Sequence, residues 1–295
     1  MKKILITGAT GGLGGTTASF LKGKVPAGDI AVLVRNVESD KAKELETQGF
    51  ELRSGDYDNY ESLEKAFKGI DVLYFVSASD INKRVPQHKN VVDAAQKAGV
   101  KHILYTSTVR KDVSKDAPLH VVVDAHVKTE NWILESGLKY TILRHNLYGE
   151  VIPMFLGERS QLLQSKTIYL PTSNGKTNFV PRADFAEAEA NILANAAEYE
   201  NRILEFNGSE ETSFEDVSKI LSEIVKEPIA YVSPEINEFK QTMASYQLPT
   251  EIIELLSMFS LGIANGEFAQ QTQDLEIVLG RPTKSIKAFL EEVYG

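Results

Sequence analysis

Along its first half the chain alternates short apolar runs with longer segments of helical period. The runs are Lys3 to Thr7, Ile30 to Val34, Phe50 to Arg53, Val72 to Val76, His102 to Thr106 and Tyr140 to Arg144. They are too short for helices, and most lack a polar face, which is the pattern of strands covered on both sides in a parallel sheet. Between them, Glu38 to Gln48, Tyr60 to Phe67, Gln87 to Ala98 and His120 to Ser136 carry apolar residues at helical spacing. Gly49, Gly69, Gly99 and Gly137 stand where each helix should stop. The alternation predicts an α/β fold with a doubly wound parallel sheet.

After Arg144 the rhythm weakens. The stretch from Val151 to Thr177 holds Pro153, Gly157, Pro171 and Gly175 without clear alternation and reads as the start of a substrate lobe. Pro181 to Ala197 reads as a helix with Arg182 and Asp184 in its first turn, and Arg202 to Phe206 as a strand, so 178–208 is expected to rejoin the sheet. From Ser213 onward short helices dominate. Among them the Leu/Ile/Met-rich stretch Ile252 to Ile263 fits core better than the wall of a substrate cavity. The expected partition is a domain over 1–150, rejoined by 178–208, and a smaller, mostly helical C-terminal lobe formed by 151–177 and 209–295.

The first run breaks into glycines: Thr7-Gly8-Ala9-Thr10-Gly11-Gly12-Leu13-Gly14. Gly8 lets the chain turn off a buried strand, Gly11 lets backbone approach a pyrophosphate, and Gly14 lets the helix pack closely on the strand. Thr10, Gly12 and Leu13 complete the turn and the helix start, whose unpaired N–H groups favour an anion. Because Ile30 to Val34 follows at the distance a βαβ unit requires, the motif predicts a Rossmann-type dinucleotide site.

Arg35 follows the second strand where an NAD site usually places a carboxylate, and a guanidinium there suits the 2′-phosphate of NADPH. Asp56, after the third strand, is placed to accept from the adenine amino group, with a turn role as the competing reading. Ser77, Ser79, Thr106 and Ser107 follow strand ends and are expected to touch the cofactor ribose or nicotinamide.

Net charge is −9, from 41 acidic against 32 basic residues, so a phosphate backbone would be repelled and nucleic acid is not an expected partner. The chain has no cysteine, which excludes disulfides, thiolate metal sites and cysteine nucleophiles. Its five histidines show no His-x-x-x-His spacing, and no metal site is expected. No apolar run is long enough to span a bilayer, so no membrane association is expected and the location is read as cytoplasmic.

Dehydrogenases of this topology commonly use Tyr-x-x-x-Lys, and none is present. The nearest spacing is Asp124-x-x-x-Lys128, so ordinary alcohol–ketone interconversion is disfavoured. Near Lys128, His126 could donate a proton, although packing between helix and sheet weighs more. His88 reads as packing. Tyr148 and His145 lie just past a strand end, where open α/β folds place ligands, and are candidates to touch substrate or nicotinamide.

Taken together the chain resembles the atypical short-chain dehydrogenase/reductases of NmrA-like type, a group that includes bacterial quinone reductases and triphenylmethane dye reductases. Its landmarks are Thr7 to Gly14, Val34-Arg35-Asn36, Gly55-Asp56-Tyr57, Pro86-Gln87-His88-Lys89-Asn90-Val91, Tyr105-Thr106-Ser107, His126 with Thr129-Glu130, Leu143-Arg144, Tyr148, Arg182-Ala183-Asp184 and Leu279-Gly280-Arg281-Pro282-Thr283. The resemblance implies hydride transfer from NADPH straight to a conjugated small-molecule acceptor, without flavin or metal. The chain is expected to be a monomer or homodimer. The resemblance adds Tyr57 to the cofactor contacts. Such acceptors are already electrophilic, so the missing tyrosine acid makes chemical sense.

This chain departs from the pattern at two places. It reads Leu143-Arg144-His145-Asn146 where relatives read Leu-Arg-Asn, so His145 replaces the amide expected to face the nicotinamide, and Asn146 is the candidate substitute. Lys128 stands where relatives carry an acidic or small residue. Two other readings stay open: a redox sensor that binds dinucleotide without turnover, and a reductase or epimerase of sugar or phenylpropanoid-like substrates acting through Lys128.

Overall fold

Ile4-Leu5-Ile6, Ile30 to Val34 and Val72 to Phe75 are buried at every position, so they are stable only inside a sheet with both faces covered. The computed structural model describes residues 2–295. Its first half runs β1 (Ile4–Ile6), α1 (Gly12–Lys22), β2 (Ile30–Val34), α2 (Asp40–Thr47), β3 (Glu51–Ser54), α3 (Tyr60–Phe67), β4 (Val72–Phe75), α4 (Arg84–Ala98), β5 (His102–Thr108), α5 (His120–Glu135) and β6 (Lys139–His145). The second half runs α6 (Val151–Leu156), α7 (Arg159–Ser165), β7 (Thr167–Tyr169), β8 (Lys176–Thr177), α8 (Arg182–Ala194), β9 (Arg202–Phe206), β10 (Thr212–Ser213), α9 (Phe214–Val225), β11 (Ala230–Val232), α10 (Ile236–Ser245), α11 (Thr250–Ala264), α12 (Asp274–Leu279) and α13 (Ile286–Tyr294).

A seven-stranded sheet of order β3-β2-β1-β4-β5-β6-β9 forms the centre, with every neighbouring pair parallel. This is a Rossmann-like α/β fold. Leu5 stands opposite Ala31 on one side and Leu73 on the other. The order reverses between β1 and β4, which opens a crevice at their carboxyl ends. Alternation along each strand splits the core in two. Ile4, Ile6, Val32 and Tyr74 face α1, α2 and α8, whereas Leu5, Leu33, Phe75 and Tyr105 face α3, α4 and α5.

A third core gathers Ile152, Leu162, Phe214, Leu221, Phe239, Phe289 and Tyr294 from the C-terminal helices and Ile168 from β7. Leu256 and Ile263 of α11 belong to it, so that apolar stretch is packing. The rhythm-free segment conceals β7, which pairs with β11, and β8, which pairs with β10. Strands of two or three residues are too short for periodicity to register. Although α12 falls within 209–295, Leu275, Val278 and Leu279 are buried in the sheet's own core. α4 begins at Arg84 rather than Gln87, because Pro86 sits in the first turn, where its missing N–H has no helical partner to lose.

Candidate active site

Where β1 ends, Thr7 ties the crevice together. Its Oγ1 accepts the Val76 N–H at 2.9 Å, and the Tyr57 hydroxyl is shared between that Oγ1 at 2.5 Å and the Val76 carbonyl at 2.8 Å. Gly8 then takes φ +63°, a left-handed conformation that admits glycine most easily. A Cβ at Gly14 would lie 2.6 Å from the Gly8 carbonyl oxygen and 2.7 Å from that of Thr7, so α1 starts this close to β1 only with glycine there. Gly11 precedes α1 with no side-chain cap, leaving the first-turn N–H groups for an anion in the cleft.

The cleft has a volume of about 450 Å³. Gly8, Thr10, Gly11, Gly12, Leu13 and Gly14 form one wall, Arg35, Asp56 and Tyr57 the next, and Ser77 and Ser79 the far side. Arg35 is exposed at the end of β2 and Leu33 lines the floor behind it. One oxygen of Asp56 accepts the Asp58 N–H at 3.0 Å, so Asp56 both shapes its turn and faces the cleft. Tyr57 offers its ring rather than its hydroxyl, and burial raises its phenol pKa above the ordinary value.

Thr106 and Ser107 stand behind this wall instead of on it. Thr106 Oγ1 accepts the Ser77 N–H at 2.9 Å, and the Ser107 hydroxyl donates to Glu130 at 2.5 Å. Burial pushes the Glu130 carboxyl up, but Arg110 at 2.6 Å and Arg144 at 2.8 Å, together with Ser107, overcome it and hold the pKa down at about 2.

His126 and Lys128 do not meet at one site. The His126 ring is buried against the Tyr105 hydroxyl at 2.7 Å, and burial, with Arg84 nearby, holds it well below an ordinary histidine. Lys128 is exposed and bonds Asp124 at 2.6 Å. Asn146 is a packing residue: its amide donates to Asn207 at 2.6 Å and to the Phe268 carbonyl at 2.9 Å, while its oxygen accepts the Leu147 N–H. His88 likewise accepts the Ala78 N–H and meets Thr129.

His145 and Tyr148 do come together, with Nδ1 3.2 Å from the Tyr148 hydroxyl. Nε2 of the same ring lies 2.8 Å from buried Glu189 of α8. Above Tyr148, 5.4 Å from its ring, sits the Arg182 guanidinium, which also closes over Gly12 of the glycine loop.

Residues 1–287 match the NmrA-like family. The chain belongs to that family. The NmrA-like chain is 31% identical over 292 residues to quinone oxidoreductase 2 of Escherichia coli, covering 99% of both chains. It superposes with a TM-score of 0.90 on an NADPH-dependent quinone oxidoreductase from Escherichia coli solved with NADPH, at 30% identity over 99% of this chain and 100% of that one. A triphenylmethane reductase of a Citrobacter species, solved with NADP(H), gives a TM-score of 0.89 at 32% identity over 99% and 100% of the two chains.

Sequence reasoning missed three charged residues of this NmrA-like site. Arg84, only 8% exposed, donates to the Ala78 carbonyl and approaches His126. Nothing in the pair Lys83-Arg84 marks it as buried. Arg182 reaches the glycine loop from far along the chain. Glu189 stands between Ala188 and Ala190, but Glu187 stands between alanines in the same way, so the local pattern does not single it out.

Proposed function

We propose that this chain is an NADPH-dependent oxidoreductase that passes hydride to a quinone or a similar conjugated electrophile, such as a dye or azo compound, without flavin or metal. The observation that carries the reading is the glycine-walled cleft with Arg35 at its rim, in a chain that matches quinone and dye reductases over its whole length. The cradle fits a dinucleotide: uncapped N–H groups face the diphosphate position and no Cβ intrudes. When bound, NADPH supplies the hydride. Gly11 to Gly14 would hold the diphosphate, Arg35 the 2′-phosphate, and Asp56 the adenine amino group, while Ser77 and Ser79 bond the ribose nearer the nicotinamide. Segments 151–177 and 209–295 would hold the flat acceptor against the nicotinamide face and exclude water. The acceptor is a small molecule, the chain acts as a monomer or homodimer, and its place is the cytoplasm. No described helix is long and apolar enough to cross a membrane.

The test is loss of reduced-nicotinamide absorbance against a panel of quinones, azo dyes and triphenylmethane dyes, with NADH run in parallel. Turnover with NADPH supports the reading, and tight nucleotide binding with no turnover favours a sensor. Arg35→Ala is expected to raise the KM for NADPH roughly 10- to 100-fold, the range for losing a charge-assisted hydrogen-bonded pair, and to leave that for NADH in place. Equal effects on both would remove Arg35 from the 2′-phosphate. Lys128→Ala is expected to leave quinone turnover nearly unchanged, because its ammonium points to Asp124 and solvent. Abolished turnover would instead favour chemistry through Lys128.

A further inference from the structure

Glu189 sits in the interior of α8 with 0% exposure. A carboxylate buried there is costly unless donors surround it. Thr17 Oγ1 lies 3.1 Å from Oε2, and the Tyr74 hydroxyl donates to the same oxygen. Oε1 is left with His145 Nε2, 2.8 Å away. The contact is close but not aligned as a hydrogen bond, and neither atom has a hydrogen-bond partner among the described residues. A carboxylate can only accept, so the tautomer that suits this contact carries its hydrogen on Nε2. Nδ1 is therefore the atom that faces the Tyr148 hydroxyl at 3.2 Å.

The ring has little freedom to turn. It stacks on Phe185 at 4.2 Å between centroids and lies parallel to Phe206. Tyr148 follows the carboxyl end of β6, on the side of the switch point away from Arg35, where the nicotinamide half of a dinucleotide would lie. Arg182, over the Tyr148 ring and against Gly12, links that position to the glycine loop.

We propose that Tyr148 is the proton donor to the reduced acceptor, with His145 and Glu189 as the positioning residues that orient and reload it. The proposal rests on the hydride-transfer reading above and names the proton source for it. Hydride addition to a neutral quinone delivers two electrons and leaves an anionic oxygen. The Tyr148 O–H bond breaks as its proton forms the new O–H bond on that oxygen. The Tyr148 oxygen regains a proton from solvent by way of His145 Nδ1, which faces it at 3.2 Å, and the ring is left as it began, with its hydrogen on Nε2. Until transfer Tyr148 stays a neutral phenol, because burial and the Glu189 charge both raise its pKa.

A cationic triphenylmethane dye separates the two parts of the reaction, since hydride neutralises it and leaves no anion to protonate. Tyr148→Phe and the isosteric Glu189→Gln are expected to lower kcat for a quinone about 100-fold, the scale of general acid catalysis, with KM little changed. Reduction of the dye should stay near the wild-type rate. In the protein without nucleotide, nitrogen NMR of the neutral His145 ring should show hydrogen on Nε2 and none on Nδ1, and Glu189→Gln should abolish that preference. Equal loss with both acceptors, no loss with either, or hydrogen on Nδ1 of the neutral ring overturns the relay. If wild-type protein reduces neither acceptor, the hydride-transfer reading falls and takes the relay with it.

Discussion

Gly14→Ala is expected to destabilise the protein by about 3 kcal/mol or more and to weaken nucleotide binding roughly 10- to 100-fold. The added methyl would stand 2.6 Å from the Gly8 carbonyl oxygen and 2.7 Å from the Gly8 carbonyl carbon and the Thr7 carbonyl oxygen, all of them backbone atoms. No side chain can rotate out of the way, so α1 must lift off β1. Lifting it moves the first-turn N–H groups off the diphosphate position and strains the Thr7 link to Val76 and Tyr57. Gly12→Ala is the control, because its methyl meets the end of the flexible Arg182 side chain, which can move. Thermal unfolding and calorimetric titration with NADP⁺ measure both effects. Wild-type nucleotide affinity in Gly14→Ala would mean that this junction is not the diphosphate cradle.

The same junction shows what could be read from the chain beforehand. The sheet was legible because its central strands are buried on both faces and appear as runs without polar interruption, and the glycine loop because backbone sterics allow few alternatives. Far less of the chemistry was legible. His126 and Lys128 are two residues apart on α5, and a helix turns such positions to opposite faces, so one is buried while the other is exposed. Thr106 and Ser107 follow a strand end as cofactor contacts should, yet their hydroxyls are engaged by Ser77 and Glu130 from neighbouring elements. Glu189 of α8 meets His145 at the end of β6, a contact no local spacing encodes. Such long-range pairings decide which polar groups remain free for a ligand.

The protein is expected to lose stability steeply as pH falls from about 6.5 towards 4, well before its carboxylates are protonated. Three imidazoles are buried in neutral form. Burial, with Arg84 adding to it, pushes His88 down to about 3. Burial likewise lowers His102 to about 4 against the opposing pull of Glu200, and burial with Arg84, His88 and Arg110 lowers His126 well below its ordinary value. In the unfolded chain each titrates near 6.5, so below that pH the unfolded state takes up protons the native rings refuse. Each ring then removes up to about 1.4 kcal/mol per pH unit, until the pH reaches its native pKa. Glu130 acts in a lower window: its native pKa of about 2 makes it stabilising above about 4.5, and that contribution fades as pH falls from there towards 2. Urea midpoints measured between pH 7 and 4 check the order of events. His102→Leu should flatten the upper part of the curve, because it removes one of these rings. A midpoint that does not change between pH 7 and 5 would show that the native rings take up protons as readily as the unfolded ones.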